Sequence, residues 1–345
     1  MKRIVRLLRG RMAAAVLAVA VASLSAGVQP ARADTPPSAW DSVKKPYLRR
    51  TYEVHVRARE RMIQSESVQP GAMDHEKRLE EARAILEEAN AAESPDVRLR
   101  FDLGTVYEAL RRHAAAAKVL EKALAMAPDH PAAEDAWLTL AYAYAHGNEP
   151  RKERDAYTKY LERSTYGSGR VTATLNLAEA EMRLGHLEDA ITGYREAIQL
   201  ASLVASASDT GVLAVWGLAV ALDRSGDTSG AMAQAKWATE IDHRRVIEDR
   251  VNVFFVPAYE RLWYFGLREM ALARSAKSGP EALLHLRQAE ELWNGYYEKA
   301  DPADPWRTRA KAHRDFVHNE RLDAEKRIKP GKTPQLPSPG DDVSL

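Results

Sequence analysis

The chain has 345 residues, 45% apolar and 29% charged, with 18 Gly, 17 Pro and no Cys; this allows a well-buried core and excludes a disordered or collagen-like protein. Zero cysteines exclude a disulfide framework, thiolate-bound zinc or iron–sulfur, a thiol nucleophile and a lipid-modified cysteine at the mature N-terminus. The formal charge of +1 is uneven, since residues 1–33 carry six basic groups and no acidic one, leaving 44 basic against 49 acidic beyond them, a net of −5 that does not suit nucleic acid.

In chain order, the first element is an address. A basic stretch over residues 2–11 precedes an apolar run from Met12 to Gly27, and Ala31-Arg32-Ala33 puts small residues where a signal peptidase reads. The apolar run is shorter than the roughly 20 residues that span a bilayer, so a cleaved secretory signal over 1–33 is the reading and an uncleaved anchor the alternative. Arg outnumbers Lys, Ala is abundant and no Asn-x-Ser/Thr acceptor occurs. This suits a bacterial protein of the periplasm, or one that is secreted.

After residue 34 apolar residues recur at helical spacing and no strand-like alternation is sustained, which predicts an all-α protein. Segment 34–96 should hold a long helix over Tyr47–Gln64, a turn at Gln69-Pro70-Gly71, and a second helix through Ala82, Ile85 and Leu86. From Val97 a 34-residue unit begins, with Leu103, Gly104, Tyr107, Ala116, Leu120, Ala123 and Pro128 at positions 7, 8, 11, 20, 24, 27 and 32. The pattern returns from residue 134 with Trp137, Leu140, Ala141 and Tyr144. It returns from Val171 with Leu177, Ala178, Gly185, Ala190, Tyr194 and Ala197, and from Val212 with Leu218, Ala219, Gly226, Ala231 and Ala238. Starts 37, 37 and 41 residues apart place the excess in loops at 164–169 and 206–211. In the second unit Glu153 and Tyr160 replace small residues, predicting looser packing there.

These residues resemble the tetratricopeptide repeat over 97–245, and more loosely over 47–96 and 252–327. The resemblance implies a right-handed α-α superhelix, a solenoid of antiparallel helix pairs in which small side chains allow close helix crossings and large ones fill the space between. Downstream, Pro257–Ser275 and Glu281–Lys299 read as a degenerate pair, and a capping helix runs from Asp304-Pro305 to about Arg327. The proline-rich segment 328–345 reads as a disordered tail.

In that family the first helices line a concave groove that binds a peptide or protein. Carried over, the groove holds Arg98, Phe101, Thr105 and Glu108; Leu138, Tyr142 and His146; Thr172, Leu175, Asn176, Glu179, Met182 and Arg183; and Trp216, Val220, Asp223 and Arg224. Asn176 takes the place of a residue that holds a bound peptide backbone, while Arg183 and Arg224 would meet a partner's carboxylate. The two-lysine clamp of chaperone-tail binders is absent.

Other motifs have simpler readings. There is no H-E-x-x-H and no histidine–carboxylate cluster at ligand spacing, so no metal or cofactor is expected; His313 and His318 fall on different faces. Tyr166-Gly167-Ser168-Gly169-Arg170 reads as a connecting loop, and Glu80-Glu81, Glu87-Glu88 and Glu290-Glu291 as solvated helix faces. The expectation is an exported, non-catalytic scaffold of the cell envelope with a protein or peptide partner. Nucleic acid and stable membrane insertion are not expected, and homo-oligomerisation is compatible. The alternative is an enzyme or a glycan- or peptidoglycan-binding protein, with a site among Trp263, Tyr264, Phe265, Trp293, Tyr296 and Tyr297 of the segment 252–327.

Overall fold

Helix is the only regular structure among the described residues of the computed structural model, which are 36–68, 72–249 and 253–328. The signal sequence, the Gln69-Pro70-Gly71 turn and the tail after Ile328 lie outside the described residues. The chain divides into two compact units. The first contains α1 (Ala39–Lys44), α2 (Tyr47–Glu66), α3 (Met73–Glu88), α4 (Val97–Ala109), α5 (His113–Met126), α6 (Ala133–His146), α7 (Pro150–Leu161) and α8 (Ser168–Arg183). The second contains most of α9 (Leu187–Leu203), then α10 (Ser208–Ser225), α11 (Thr228–Ile241), α12 (Val246–Asp249), α13 (Arg261–Ser275), α14 (Gly279–Lys299) and α15 (Arg307–Arg327).

One backbone device ends the first helix of four successive pairs. Arg111, Asn148, Gly185 and Gly226 all have positive φ, at 57°, 55°, 83° and 108°, and they are 37, 37 and 41 residues apart, the same spacing as the repeat starts. At three of them the following amide donates to a carbonyl five residues back: Arg112 to Tyr107, Glu149 to Tyr144, and Asp227 to Leu222. A left-handed residue with this long-range bond satisfies carbonyls that a helix end leaves without partners, and reverses the chain for the second helix.

The small residues sit under large ones. Ala116, Ala123, Ala141, Ala178, Ala190, Ala197, Ala219, Ala231 and Ala238 are all buried. A Cβ on Gly104 would lie 2.4 Å from Leu120, one on Gly217 would lie 2.2 Å from the Tyr194 ring, and one on Gly266 would lie 2.6 Å from Trp293. Within unit 1 a core of Phe101, Leu120, Leu124, Leu138, Leu140, Tyr144, Tyr157 and Tyr160 joins α4 to α7, and a second core of Met62, Leu86, Leu99, Leu103 and Val106 joins α2, α3 and α4. Arg100, which stands 37 residues before Trp137 and so in its place in the unit, is buried and donates from Nε to the Ser94 carbonyl at 2.8 Å.

Several boundaries differ from the sequence reading. Glu153 and Tyr160 do not loosen α7: both are buried, and Glu153 accepts a hydrogen bond from Arg183 at 2.7 Å. Helix α10 begins four residues before Val212, so the loop before it is a short 3₁₀ turn at Ala205–Ala207. Helix α13 starts at Arg261 after another such turn, and α15 starts at Arg307, where Asp304 accepts from the Trp306 amide. By length and composition alone the segment Ala205–Ser225 could cross a membrane; it carries buried Asp223 and Arg224 and most of it is buried, as in a core helix.

Candidate functional site

In unit 1 the first helices α4, α6 and α8 carry most of the groove residues. Each ends or runs beside a second helix that orients its side chains. On α4, Phe101 is buried against the His130 ring, 5.3 Å away, and Thr105 bonds back to the Phe101 carbonyl. Arg98 is held by Asp96 through two hydrogen bonds of 3.0 and 2.7 Å, and its guanidinium lies over Tyr52. Leu138 and Leu175 are buried, so Phe101, Leu138 and Leu175 belong to the core rather than to an open face.

Besides Arg98 and Thr172, the residues of this face that keep some accessibility are Thr105 and Glu108, Tyr142 and exposed His146, and Asn176, Glu179 and Arg183. Tyr142 meets Tyr157 edge-on at 6.2 Å, and Asn176 Nδ2 donates to the Tyr157 hydroxyl at 2.9 Å. Burial raises both phenols, and the Asn176 hydrogen bond opposes the shift at Tyr157. Arg183 is already engaged: one guanidinium nitrogen reaches Glu153 and another Asn148, both at 2.7 Å. Burial pushes Glu153 up to about 8 despite Arg183, with Glu179 adding to the rise. Burial likewise pushes Glu108 up to about 7, with only Arg111 opposing. This face is therefore a row of carboxylates and a tyrosine withdrawn from water, with its arginines matched internally.

The four groove residues assigned to unit 2 are not on a groove, and Val220 among them is fully buried. Trp216 is 2% exposed and donates from Nε1 to Asp242 at 3.3 Å. Asp223 is fully buried, accepting from Trp263 Nε1 at 3.1 Å, Arg309 at 3.1 Å and His313 Nε2 at 2.8 Å. Arg224 is 6% exposed, paired with Glu260 and set between the Trp263 and Trp306 rings. Helix α13, helix α15 and the turns that lead into them cover Asp223 and Arg224, which excludes the expected contact between Arg224 and a partner's carboxylate.

The aromatic residues of segment 252–327 are mostly core. Trp263 meets Trp293 and Tyr296 edge-on at 5.1 and 5.0 Å, and all three are buried, as is Tyr264. Phe265 lies beneath Arg268 and Tyr297 beneath Arg307 and Arg314, so these rings are covered by guanidinium groups. The acidic pairs lie beside arginines: Arg83 contacts Glu80 and Glu87, and Arg321 contacts Glu290.

Paired helices closed by a recurrent left-handed residue, with small side chains at the crossings, define a helical-repeat scaffold suited to protein–protein interaction. Residues 75–136 match the tetratricopeptide repeat family. Over those residues the chain carries tetratricopeptide-type repeat sequence. MamA from MSR-1 is 20% identical over 55% of this chain and 97% of its own, with a TM-score of 0.45. The Cut9–Hcn1 hetero-tetramer of the APC/C is 16% identical over 87% of this chain and 56% of its own, at 0.43. The TPR2AB domain of yeast Sti1, solved in complex with pHSP90, is 13% identical over 78% of this chain and 98% of its own, at 0.25. No match was found among curated protein sequences.

Two participants escaped the sequence reading. Tyr157 and Glu153 sit on a second helix, yet they anchor Asn176 and Arg183. Only the 37-residue offset between units places them beside α8.

Proposed function

We propose that the chain is an exported, non-catalytic scaffold of the cell envelope that holds an extended segment of a partner protein along α4, α6 and α8, and that this segment is basic. The observation that carries the reading is the pair of partly accessible carboxylates Glu108 and Glu179 on the face of half-buried Tyr142. A carboxylate withdrawn from water gains most from an incoming cation, because the ion pair replaces solvation already lost. Tyr142 adds contact area of the kind that concentrates binding energy. Arginines on this face give no support to an acidic partner, since Arg98 and Arg183 already have carboxylate partners. The address over residues 1–33 supports export.

The test is fluorescence anisotropy of the purified chain with a panel of labelled peptides matched in length and varied in Lys and Arg content. Basic peptides should bind more tightly than acidic ones, with affinity falling as salt rises. Tyr142→Ala and Glu179→Gln should each weaken binding by about tenfold or more, with circular dichroism unchanged. Preference for acidic peptides, or affinity indifferent to both variants, defeats the proposal. Export is checked separately by osmotic release and N-terminal sequencing, which should find a start at or near Asp34.

A further inference from the structure

Three helix ends of unit 1 converge on a group that none of the sequence motifs contains. Glu108 is one residue short of the end of α4, His113 is the first residue of α5, and His146 is the last residue of α6. One potential ligand atom from each lies within 4.8 Å of the other two. The imidazoles of His113 and His146 stack with centroids 4.0 Å apart and planes 14° from parallel. His113 Nδ1 is 3.7 Å from Glu108 Oε1, too far for a hydrogen bond, and it is buried with no hydrogen-bond partner.

We infer that Glu108, His113 and His146 form a binding site for a divalent transition metal ion of the zinc class. Two imidazole nitrogens and one carboxylate oxygen are a common three-ligand set for Zn²⁺ and leave a fourth position open. A bound ion would give the buried, unpartnered His113 nitrogen a ligand bond and the half-buried Glu108 carboxylate a counter-charge. Zn–N and Zn–O distances of about 2.0–2.2 Å require donor atoms closer together than 4.8 Å. Binding would therefore draw the three side chains in around the ion. Calcium or magnesium would not suit this set, because hard cations take oxygen ligands.

The site has a mechanical consequence. Glu108 and His113 flank the reversal at Arg111, and His146 ends the first helix of the following pair, so a shared ion would tie the α4–α5 turn to α6. The inference does not rest on the peptide reading: the two share Glu108, but His113, His146 and the metal probe belong to this site alone.

The test uses the full chain, purified without a histidine tag and stripped with chelator, titrated with Zn²⁺ by calorimetry and with Co²⁺ by visible absorption. One equivalent should bind saturably, Co²⁺ should give the intense absorption of a low-coordinate site, and Zn²⁺ should raise the thermal midpoint. His113→Ala and His146→Ala should each weaken Zn²⁺ binding by at least about tenfold and abolish the thermal shift, while His318→Ala, outside the site, should change neither. His146→Gln serves as a second, milder variant, with circular dichroism to show that the fold persists. Absence of saturable binding, binding indifferent to His113 and His146, or a Co²⁺ spectrum that stays that of the hydrated ion overturns the assignment. Loss of metal binding with peptide affinity intact, or the reverse, separates this inference from the proposed function.

Discussion

His313 on α15 donates from Nε2 to Asp223 on α10 at 2.8 Å, across 90 residues of sequence, inside a carboxylate site that also receives Trp263 and Arg309. Asp223 is the common acceptor for these donors, which come from two other helices, α13 and α15. Asp223→Ala should therefore cost about 3–5 kcal/mol, the range for removing one partner of a buried charged network. Urea denaturation followed by circular dichroism measures it; a loss under about 1 kcal/mol would show that the network contributes little.

The same group sets a pH dependence. Burial pushes Asp223 up, but the hydrogen bonds and charges of His313 and Arg309 outweigh it, and the carboxyl is held below its ordinary 3.8. A group whose pKa is lower in the folded than in the unfolded state stabilises the fold above the unfolded value. That contribution disappears as pH falls through the folded value. Between about pH 6 and about pH 3 the wild type should lose more stability than Asp223→Asn does. Parallel curves would remove Asp223 from the acid response.

Trp216→Ala is expected to act on the core. The indole is buried and anchored to Asp242, so truncation should cost about 3–5 kcal/mol and lower the thermal midpoint clearly. A variant as stable as the wild type would return Trp216 to an accessible face.

Gly104→Ala tests the helix crossing. Its Cβ would meet Leu120 Cγ and Cδ2 at 2.4 Å, an overlap that should cost about 1–3 kcal/mol. Combining it with Leu120→Ala should cost less than the sum of the two single changes, because the smaller side chain removes the clash. Additive losses in a thermal or urea melt would mean that the two residues do not press on each other.

Arg111→Gly should stabilise. Arg111 holds φ at 57° where an L-residue is disfavoured by about 1–2 kcal/mol, and glycine's greater freedom when unfolded takes back about 0.5–1. A gain of about 0.5–1 kcal/mol should appear in the melt. Asn148→Gly should gain less or lose, since asparagine tolerates this conformation and its Oδ1 accepts from Arg183.

Much of the local architecture was written in the chain. The recurrence of Gly104 as Ala141, Ala178 and Ala219, and of Ala116 and Ala123 in the third and fourth units, conveys which helices pair and where they cross, because close crossing favours small side chains at set intervals. Even the turn residues obey that spacing, although Arg111 and Asn148 conceal it where glycine would advertise it. The tertiary structure alone decided which faces stay open. Trp216, Asp223 and Arg224 have the spacing of groove residues, but Trp263, Trp306, Arg309 and His313, from α13, α15 and the turn before it, close over Asp223 and Arg224, while Trp216 turns inward to Asp242. Likewise, Glu108, His113 and His146 have no motif spacing, since three separate helix ends bring them together. Periodicity records the face a residue takes on its own helix; which distant segment covers that face depends on packing between helices tens of residues apart.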